Sequence, residues 1–328
     1  MGLELMLEKW AGAVSVVNIG ATKAEGGTRS TIIQAGGQKT LPFLFPEADL
    51  ICKPVIAFEI WDIKPTDWPE ELIKVYGGIL NDPICWAEKC VKDYKAEILC
   101  VKLQSVHPEY GNKTPDSAAK FISQLLKKVS VPLIITGCGD DQKDNQVLPA
   151  CCESAKGERL LIGDAMQDNY KTLTAAVLAD GHNIIAESPI DINIAKQLNI
   201  LISDMGLPLE RIVINPTIGA LGYGLEYAYS IMERARLAAL SGDKTVANPF
   251  ICFVGQESWR AKESRVSLAE FPSGGPESER GIIWEVITAA ALIQAGADIL
   301  VMRHPKAVEK VNKYITNLMT NDKILPLL

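Results

Sequence analysis

Short, almost continuously apolar segments alternate along this chain with longer segments in which apolar residues recur every three or four positions. Eight of the short segments have the pattern of β-strands that are covered on both faces, as in a parallel sheet. They span residues 54–60, 97–103, 131–136, 159–164, 183–188, 211–216, 249–255 and 297–303.

The longer segments have the period of amphipathic helices. One face of the first example holds Ala118, Ile122, Leu125 and Val129, and one face of the second holds Ile194, Leu198, Leu201, Ile202 and Met205. The segment after the last strand places Val308, Val311, Ile315, Leu318 and Met319 together. Eight strand–helix units in one chain predict an α/β fold, a (β/α)8 TIM barrel, with an open doubly wound sheet as the lesser alternative.

The first fifty residues precede this repeating pattern. The segments 13–20 and 28–37 alternate between apolar and polar positions and are separated by a short glycine-containing stretch. They predict a β-hairpin that closes the bottom of the barrel. We therefore expect an N-terminal extension over residues 1–50 and one barrel domain over residues 51–328.

Composition excludes several classes of protein. The chain has 328 residues, of which 48% are hydrophobic and 22% charged, so it can bury a large core. Its net charge of −7 argues against a nucleic-acid partner. No apolar run approaches the roughly 18 residues that span a bilayer, and the first residues lack the apolar region of a signal peptide. The sequence predicts a cytoplasmic protein with no membrane partner.

The cysteines predict no metal centre. There are eight, and no two of them are spaced as Cys-x-x-Cys. Cluster and zinc sites normally use at least one such pair, so we expect no iron–sulfur cluster in this chain. Cys151 and Cys152 fall within a predicted helix, as buried thiols. Cys138 differs, because it begins a loop between Gly137 and Gly139.

Polar residues follow the ends of the predicted strands, where the active site of a TIM barrel lies. These residues are Trp61, Asp62, Gln104, Ser105, Thr136, Gly137, Cys138, Asp164, Glu187, Ser188, Asn215, Thr217, Gln256, Glu257, Arg303 and His304. Much of this ring is neutral, so it offers hydrogen bonds more than acid–base chemistry. Of the other histidines, His182 precedes the fifth strand, at the wrong end for catalysis.

Asp164, Glu187 and Asn215 end three successive strands. Two carboxylates and an amide could hold a pterin-like ring by its N–H edge. The alternative is that these side chains only hydrogen-bond neighbouring loops.

Two loops have distinctive composition. The segment NPTIGALGYGLEY contains Gly219, Gly222 and Gly224 in the order G-x-x-G-x-G, which is not the dinucleotide-binding order. Its glycines would let backbone approach a flat cofactor or a partner closely, and we expect a bulky residue at position 219 to leave folding intact. The segment FVGQESWRAKESR places Trp259 among charges, as in a binding surface or a stem packed over a helix.

Three long stretches resemble one known family: DKTVANPFICFVGQESWRAKES, GDAMQDNYKTLTAAVLADGHNIIAESPIDINIAKQLN and RIVINPTIGALGYGLEYAYSIMERARLAAL. They look like the small (delta) subunit of the corrinoid iron–sulfur protein of the carbon monoxide dehydrogenase/acetyl-CoA synthase system. The resemblance covers roughly residues 50–328.

This resemblance implies a barrel that pairs with a large subunit, which carries the iron–sulfur cluster and the main corrinoid domain. A cobalamin or related corrinoid lies between that domain and the barrel mouth. The heterodimer takes a methyl group from methyltetrahydrofolate, through a separate methyltransferase, and delivers it to acetyl-CoA synthase in the reductive acetyl-CoA (Wood–Ljungdahl) pathway. The family implies no catalytic residue and no independent activity for this chain.

The resemblance and the barrel topology together give an expected cofactor-contacting set. It comprises Thr136, Gly137, Cys138, Asp164, Glu187, Ser188, Asn215, Gly219 and Gly222, none of them a cobalt ligand. Trp259 is the expected anchor on the large subunit. The alternative function is a pterin-binding methyltransferase that acts directly on methyltetrahydrofolate. Against it, the first strand ends FEIWDIKP and lacks the Asp-Ser-Phe motif of dihydropteroate-type barrels.

Overall fold

The chain begins with the predicted hairpin. A computed structural model describes residues 6–48 and 51–320. Strands β1 (Val16–Ile19) and β2 (Ile33–Gly36) pair antiparallel, with Val16 opposite Gly36. The expected boundary between residues 50 and 51 touches residues 49–50, which lie outside the described part, so the division into two units stays a prediction.

Eight parallel strands then form the barrel. They are β3 (Val55–Trp61), β4 (Ile98–Lys102), β5 (Leu133–Thr136), β6 (Leu161–Ala165), β7 (Asn183–Glu187), β8 (Ile212–Asn215), β9 (Ile251–Cys252) and β10 (Ile299–Met302). Their order is β8-β7-β6-β5-β4-β3-β10-β9. A bridge between Ile214 and Phe250, with the Ile214 amide donating to the Pro249 carbonyl at 2.9 Å, links the two ends. The predicted (β/α)8 fold is therefore confirmed.

Ten α-helices accompany these strands in the described part of the chain. They are α1 (Glu70–Tyr76), α2 (Pro83–Lys92), α3 (Pro115–Lys128), α4 (Asp141–Ser154), α5 (Tyr170–Asp180), α6 (Ile192–Asp204), α7 (Leu225–Leu240), α8 (Val254–Arg260), α9 (Glu277–Ala295) and α10 (Pro305–Met319). Several begin at a polar side chain that accepts from the first backbone amides, as Asp140 does for α4 and Asp191 for α6. No helix of the described residues is long and apolar enough to cross a membrane.

The predicted inner face of α3 is buried, whereas that of α6 is rotated. Its fully buried residues include Asn199, while Ile194 and Leu201 are only half-buried. The Asn199 amide donates to the Thr245 carbonyl at 2.8 Å and to Asn248 at 3.2 Å. A polar residue thus takes an inner position because acceptors far along the chain pair with both N–H groups of its amide.

The hairpin packs on the N-terminal end of the barrel. Val17, Ile19 and Ala35 join the apolar cluster formed by inward-facing strand residues such as Val55 and Ile98. The strands' other faces pack against the helices in a second, larger cluster. The hairpin therefore covers the end of the barrel opposite the mouth.

Two buried ion pairs lie at this covered end. Arg29 Nε is 2.8 Å from Glu158, and the same guanidinium donates to the Val129 carbonyl at 2.6 Å. Arg236 on α7 is 3.3 Å from Asp298, which also accepts from the Phe250 amide at 2.8 Å. Each carboxylate here faces a guanidinium.

His182 and the adjacent cysteines also belong to this structural end. Nε2 of His182 lies 2.9 Å from the Cys152 carbonyl, and the Leu160 amide donates to its Nδ1 at 3.1 Å. Burial lowers the pKa of His182 and raises that of Cys152 to about 12. Cys151 and Cys152 are buried in α4, and both are uncharged packing residues.

Candidate ligand site at the barrel mouth

A cavity of about 290 Å³ opens where the strands end. Its lining residues are Glu59, Cys100, Lys102, Thr136, Gly137, Gly139, Asp144, Asp164, Met166, Glu187, Asn215, Phe253 and Gln256. Five members of the expected set are among them: Thr136, Gly137, Asp164, Glu187 and Asn215. Cys138, Ser188, Gly219 and Gly222 are not among them.

Asp164 and Glu187 are enclosed carboxyls that each keep part of their surface open to the cavity. The Asn215 amide lies 3.4 Å from an Asp164 oxygen, and the Thr217 hydroxyl lies 3.4 Å from a Glu187 oxygen. Burial raises the pKa of both carboxyls, and the nearby charge of Glu187 raises that of Asp164 further. Among the described residues, neither has a lysine, arginine or histidine nitrogen within 4 Å. The pair can therefore accept N–H donors from a ligand.

The loops after β7 and β8 are tied together above this pair. The Thr217 hydroxyl donates to the Ser188 carbonyl at 2.9 Å, and the Ser188 amide donates to the Asn215 carbonyl at 2.9 Å. Thr217 itself has a φ of 54°, a left-handed conformation that non-glycine residues rarely adopt. Ser188 thus supports the rim from behind and is fully buried.

A buried ion pair that the sequence did not indicate lies beside the cavity. Arg303 contacts both carboxylate oxygens of Glu59, at 2.8 and 2.7 Å, and Trp61 Nε1 donates to Glu59 at 2.6 Å. Burial alone would raise the pKa of Glu59, but the Arg303 guanidinium outweighs it and the pKa is lowered. The one available signal was a glutamate inside the apolar strand VIAFEIW.

Lys102 is a second residue that the sequence analysis missed. It extends β4 into the cavity, with Nζ 5.3 Å above the Trp61 ring and 3.4 Å from the Gln256 side-chain oxygen. It gives the cavity a cation, whose charge acts to lower the pKa of Asp164 against the larger effect of burial.

The loop after β5 is organised by Asp144 of α4. Its carboxylate accepts from the amides of Cys138 and Gly139 at 2.8 and 3.0 Å. A Cβ at Gly137 would lie 2.2 Å from that carboxyl group, so this close approach requires glycine. Burial raises the pKa of the Cys138 thiol to about 12, which keeps it uncharged.

The glycines after β8 are explained by the backbone conformation of their own loop. A Cβ at Gly219 would lie 2.1 Å from the Tyr223 carbonyl oxygen. The expectation that a bulky residue at 219 leaves folding intact is therefore wrong, because any side chain there displaces backbone. Gly222 has open space around its Cα and a φ of 80°.

Trp259 is not an exposed anchor, contrary to expectation. It is only 2% exposed, stacks on His304 with ring centroids 5.8 Å apart, and donates to Glu285 at 2.9 Å. Glu285, on α9, also accepts from the backbone amide of Arg303, and burial raises its pKa to about 7. The charged neighbours of Trp259 in sequence concealed its inward orientation.

His304 is likewise structural. Its Nδ1 accepts from the Lys306 amide at 3.1 Å and so begins α10. Burial lowers the pKa of His304 to about 4, which keeps the ring neutral. Across residues 6–48 and 51–320, no group of three or more histidine, cysteine, aspartate or glutamate side chains is arranged to hold a metal ion.

Solved structures with a similar fold include dihydropteroate synthases. The enzyme from Stenotrophomonas maltophilia has a TM-score of 0.52 and 16% identity, over 82% of this chain and 94% of that one. The enzyme from Xanthomonas albilineans with 4-aminobenzoic acid has a TM-score of 0.55 and 13% identity, over 93% and 99%. At these identities the likeness establishes the barrel fold alone.

Sequence comparison is more specific. Residues 17–321 match the model of the CO dehydrogenase/acetyl-CoA synthase delta subunit family. The acetyl-CoA decarbonylase/synthase complex subunit delta of Methanosarcina mazei is 36% identical over 318 residues, which are 95% of this chain and 72% of that protein. The same subunit of Methanocaldococcus jannaschii is 35% identical over 94% of this chain and 76% of its own length. This chain therefore belongs to the CO dehydrogenase/acetyl-CoA synthase delta subunit family.

Proposed function

We propose that this chain is the small subunit of a heterodimeric corrinoid iron–sulfur protein that carries a methyl group to acetyl-CoA synthase. The observation that carries the proposal is its relationship, over nearly its whole length, to delta subunits of acetyl-CoA decarbonylase/synthase complexes. The methyl donor would be methyltetrahydrofolate, acting through a separate methyltransferase. The large subunit would hold the iron–sulfur cluster and most of the corrinoid.

The barrel mouth fits a corrinoid lying across it. A corrin macrocycle is too wide for a cavity of about 290 Å³, so it would cover the opening. Its periphery carries amide groups, which suit neutral partners such as Thr217 and Gln256 at the rim. When bound, the corrinoid supplies the metal centre for methyl uptake and release. This chain would shield one face of the ring from water and hydrogen-bond its edge.

His304, Cys138 and Cys100 at the mouth support a cap that leaves cobalt unligated. Cys100 lines the cavity, but it is almost fully buried, and burial raises the pKa of its thiol well above the usual value. His304 is committed to starting α10 and stacking on Trp259, and Cys138 is protonated and buried. We also predict that this chain holds no iron–sulfur cluster. Iron and sulfide analysis of the chain expressed alone should therefore find no stoichiometric iron or sulfide.

Hydrogen exchange of the assembled protein tests the proposal. Mixed with its purified, cobalamin-loaded large subunit, the chain should form a 1:1 complex. Amides around residues 136–138, 187–188 and 215–222 should gain protection, while those around 156–159 at the opposite end should not. Absence of a complex, or protection confined to the opposite end, would refute the capping role.

A pterin-binding methyltransferase is the second candidate, and the enclosed Asp164–Glu187 pair favours it. Carboxylates of this kind accept the N–H edge of a pterin, and one structural neighbour is a dihydropteroate synthase in complex with 7,8-dihydropteroate. Calorimetry of methyltetrahydrofolate with this chain alone separates the two functions. The proposed function predicts no binding. Binding that Asp164→Asn removes and the exposed control Asp168→Asn retains would establish the methyltransferase.

A further inference from the structure

The solvent-facing side of α9 carries no charged residue over fifteen positions. From Gly281 to Ala295 the only ionisable residue is Glu285, which is buried. Ile283 and Ile287, one turn apart, are each 43% exposed. A helix on the outside of a soluble barrel normally presents polar residues to water. The outer side of α9 therefore has the composition of a covered surface.

The neighbouring helix α10 shows the ordinary pattern. Its exposed positions include Lys306, Glu309, Lys310 and Lys313. Both helices belong to the same outer ring and pack against each other. Their difference is thus a property of α9 itself and not of this layer of the fold.

Two adjoining segments add exposed apolar side chains to the uncharged outer side of α9. Tyr223, which is 50% exposed, lies in the loop just before α7. Leu221, two residues earlier, ties this loop to α9: its amide lies 3.3 Å from the Thr288 hydroxyl, and its carbonyl accepts from Trp284 at 3.2 Å.

Leu268 lies on the other adjoining segment. Arg280, in the first turns of α9, holds that segment by donating to the Ser267 carbonyl at 3.1 Å and the Gly275 carbonyl at 2.9 Å. We call the combined surface of Tyr223, Leu268, Ile283 and Ile287 the α7–α9 patch. These are four of the thirteen large apolar residues that are exposed in the described part of the chain.

Negative charge beside the patch indicates which kind of partner surface would bind there. A groove of about 380 Å³ runs along α7 over Leu221, Leu225 and Tyr229, and the two ionisable carboxylates in it are Glu226 and Glu233. No lysine or arginine lines this groove. An apolar floor with two carboxylates suits lysine or arginine side chains that flank apolar anchors.

The patch also borders the mouth. The first turns of α7 and α9 follow strand ends and so lie at the mouth end of the barrel, where the loop after β8 forms part of the rim. One partner could therefore cover the mouth and the patch together.

We propose that the α7–α9 patch is the docking surface for the large subunit, which would present apolar anchors flanked by lysine or arginine. This inference rests on the proposed function, because it assumes that such a subunit binds. It replaces Trp259, which is buried, with Tyr223, Ile283 and Ile287 as the anchors on this chain.

A pair of matched double variants tests the surface. Ile283→Glu/Ile287→Glu places charge on the patch, and Leu178→Glu/Ile200→Glu places it on α5 and α6 at residues that are 40% and 38% exposed. Each full-length variant is titrated with the purified, cobalamin-loaded large subunit, after circular dichroism and thermal melting have verified folding. The patch variant should bind at least about 100-fold more weakly, and the control within about threefold of the parent.

A charge reversal sharpens the test. Glu226→Lys should weaken binding more at low salt than at high salt, whereas Glu309→Lys on α10 should leave it unchanged. Parent chain that fails to bind the large subunit would refute the proposed function and this inference with it. Parent chain that binds, with both double variants equal to it, would refute the docking surface alone. A parent homodimer that the patch variant converts to monomer would assign the surface to a second copy and overturn the inference.

Discussion

The two ends of this barrel bury carboxylates in opposite ways. At the hairpin-covered end, Glu158 faces Arg29 at 2.8 Å and Asp298 faces Arg236 at 3.3 Å. At the mouth, Asp164 and Glu187 share a cavity and have an amide and a hydroxyl as their nearest side-chain partners, each at 3.4 Å. At the covered end each of these buried carboxylates is paired with a guanidinium of the same chain, whereas at the mouth two carboxyls are incompletely paired.

This difference separates residues that hold the fold from residues that are available to a ligand. Burying an incompletely paired carboxylate costs free energy, and this burial raises the pKa of Asp164 and Glu187. At the covered end burial raises the pKa of Asp298 as well, but there the Arg236 guanidinium opposes the rise. Incompletely satisfied groups of this kind concentrate at functional sites. The mouth also contains one carboxylate that is paired with a guanidinium, Glu59 with Arg303. Paired and incompletely paired carboxylates can therefore be compared at the same end of the barrel.

The largest expected effect is at the covered end. Arg236→Ala should lower the free energy of unfolding by about 3–5 kcal/mol, because it leaves Asp298 buried without its guanidinium. Urea denaturation at pH 7 measures this. The exposed Arg234→Ala, on the same helix, should change stability by less than about 0.5 kcal/mol. A loss below about 1 kcal/mol for Arg236→Ala would mean that this end does not depend on its ion pairs.

Glu59→Gln should have a somewhat smaller effect, a loss of about 3 kcal/mol. Glutamine can still accept from Trp61, but Arg303 loses its countercharge in a buried position. The control is Glu97→Gln, whose partner Lys53 is exposed at 3.0 Å, and it should cost under about 1 kcal/mol. Equal losses for the two variants in the same urea experiment would contradict a structural role for the Glu59–Arg303 pair.

Asp164→Asn should act in the opposite direction and stabilise the protein by about 1 kcal/mol at pH 7. The amide removes an enclosed charge and can still accept from Asn215. Asp168→Asn, which is exposed, should leave the unfolding midpoint in place. A destabilised Asp164→Asn variant would show that the mouth carboxyls hold the fold, as those of the covered end do.

The smallest effect is the pH dependence of that gain. The folded-state pKa of Asp164 is raised, so the stability contributed by its protonated form is complete below the unfolded pKa of about 3.9 and is lost as pH rises through the folded pKa. The difference between Asp164→Asn and the parent should therefore be smaller at pH 5 than at pH 8. Thermal melts of both proteins across this range give the measurement. A difference that does not vary with pH would mean that Asp164 has an ordinary pKa when folded.

The sequence by itself determined the architecture. Strands buried on both faces must be almost continuously apolar, so eight such runs separated by amphipathic segments predicted a parallel α/β sheet and favoured the closed barrel over an open sheet. The alternating pattern before them predicted the hairpin. Chain direction then placed Asp164, Glu187 and Asn215 at one edge, since parallel strands end on the same side.

Tertiary structure alone decided which side chains meet. Glu59 and Arg303 are 244 residues apart in the chain and pair because β3 lies beside β10. Trp259 turned inward because Glu285 on the next helix offered its indole an acceptor, although its neighbours in sequence are charged. Periodicity records how much of each segment is buried, but a contact between segments depends on how strands and helices are arranged in space, and no local pattern encodes that.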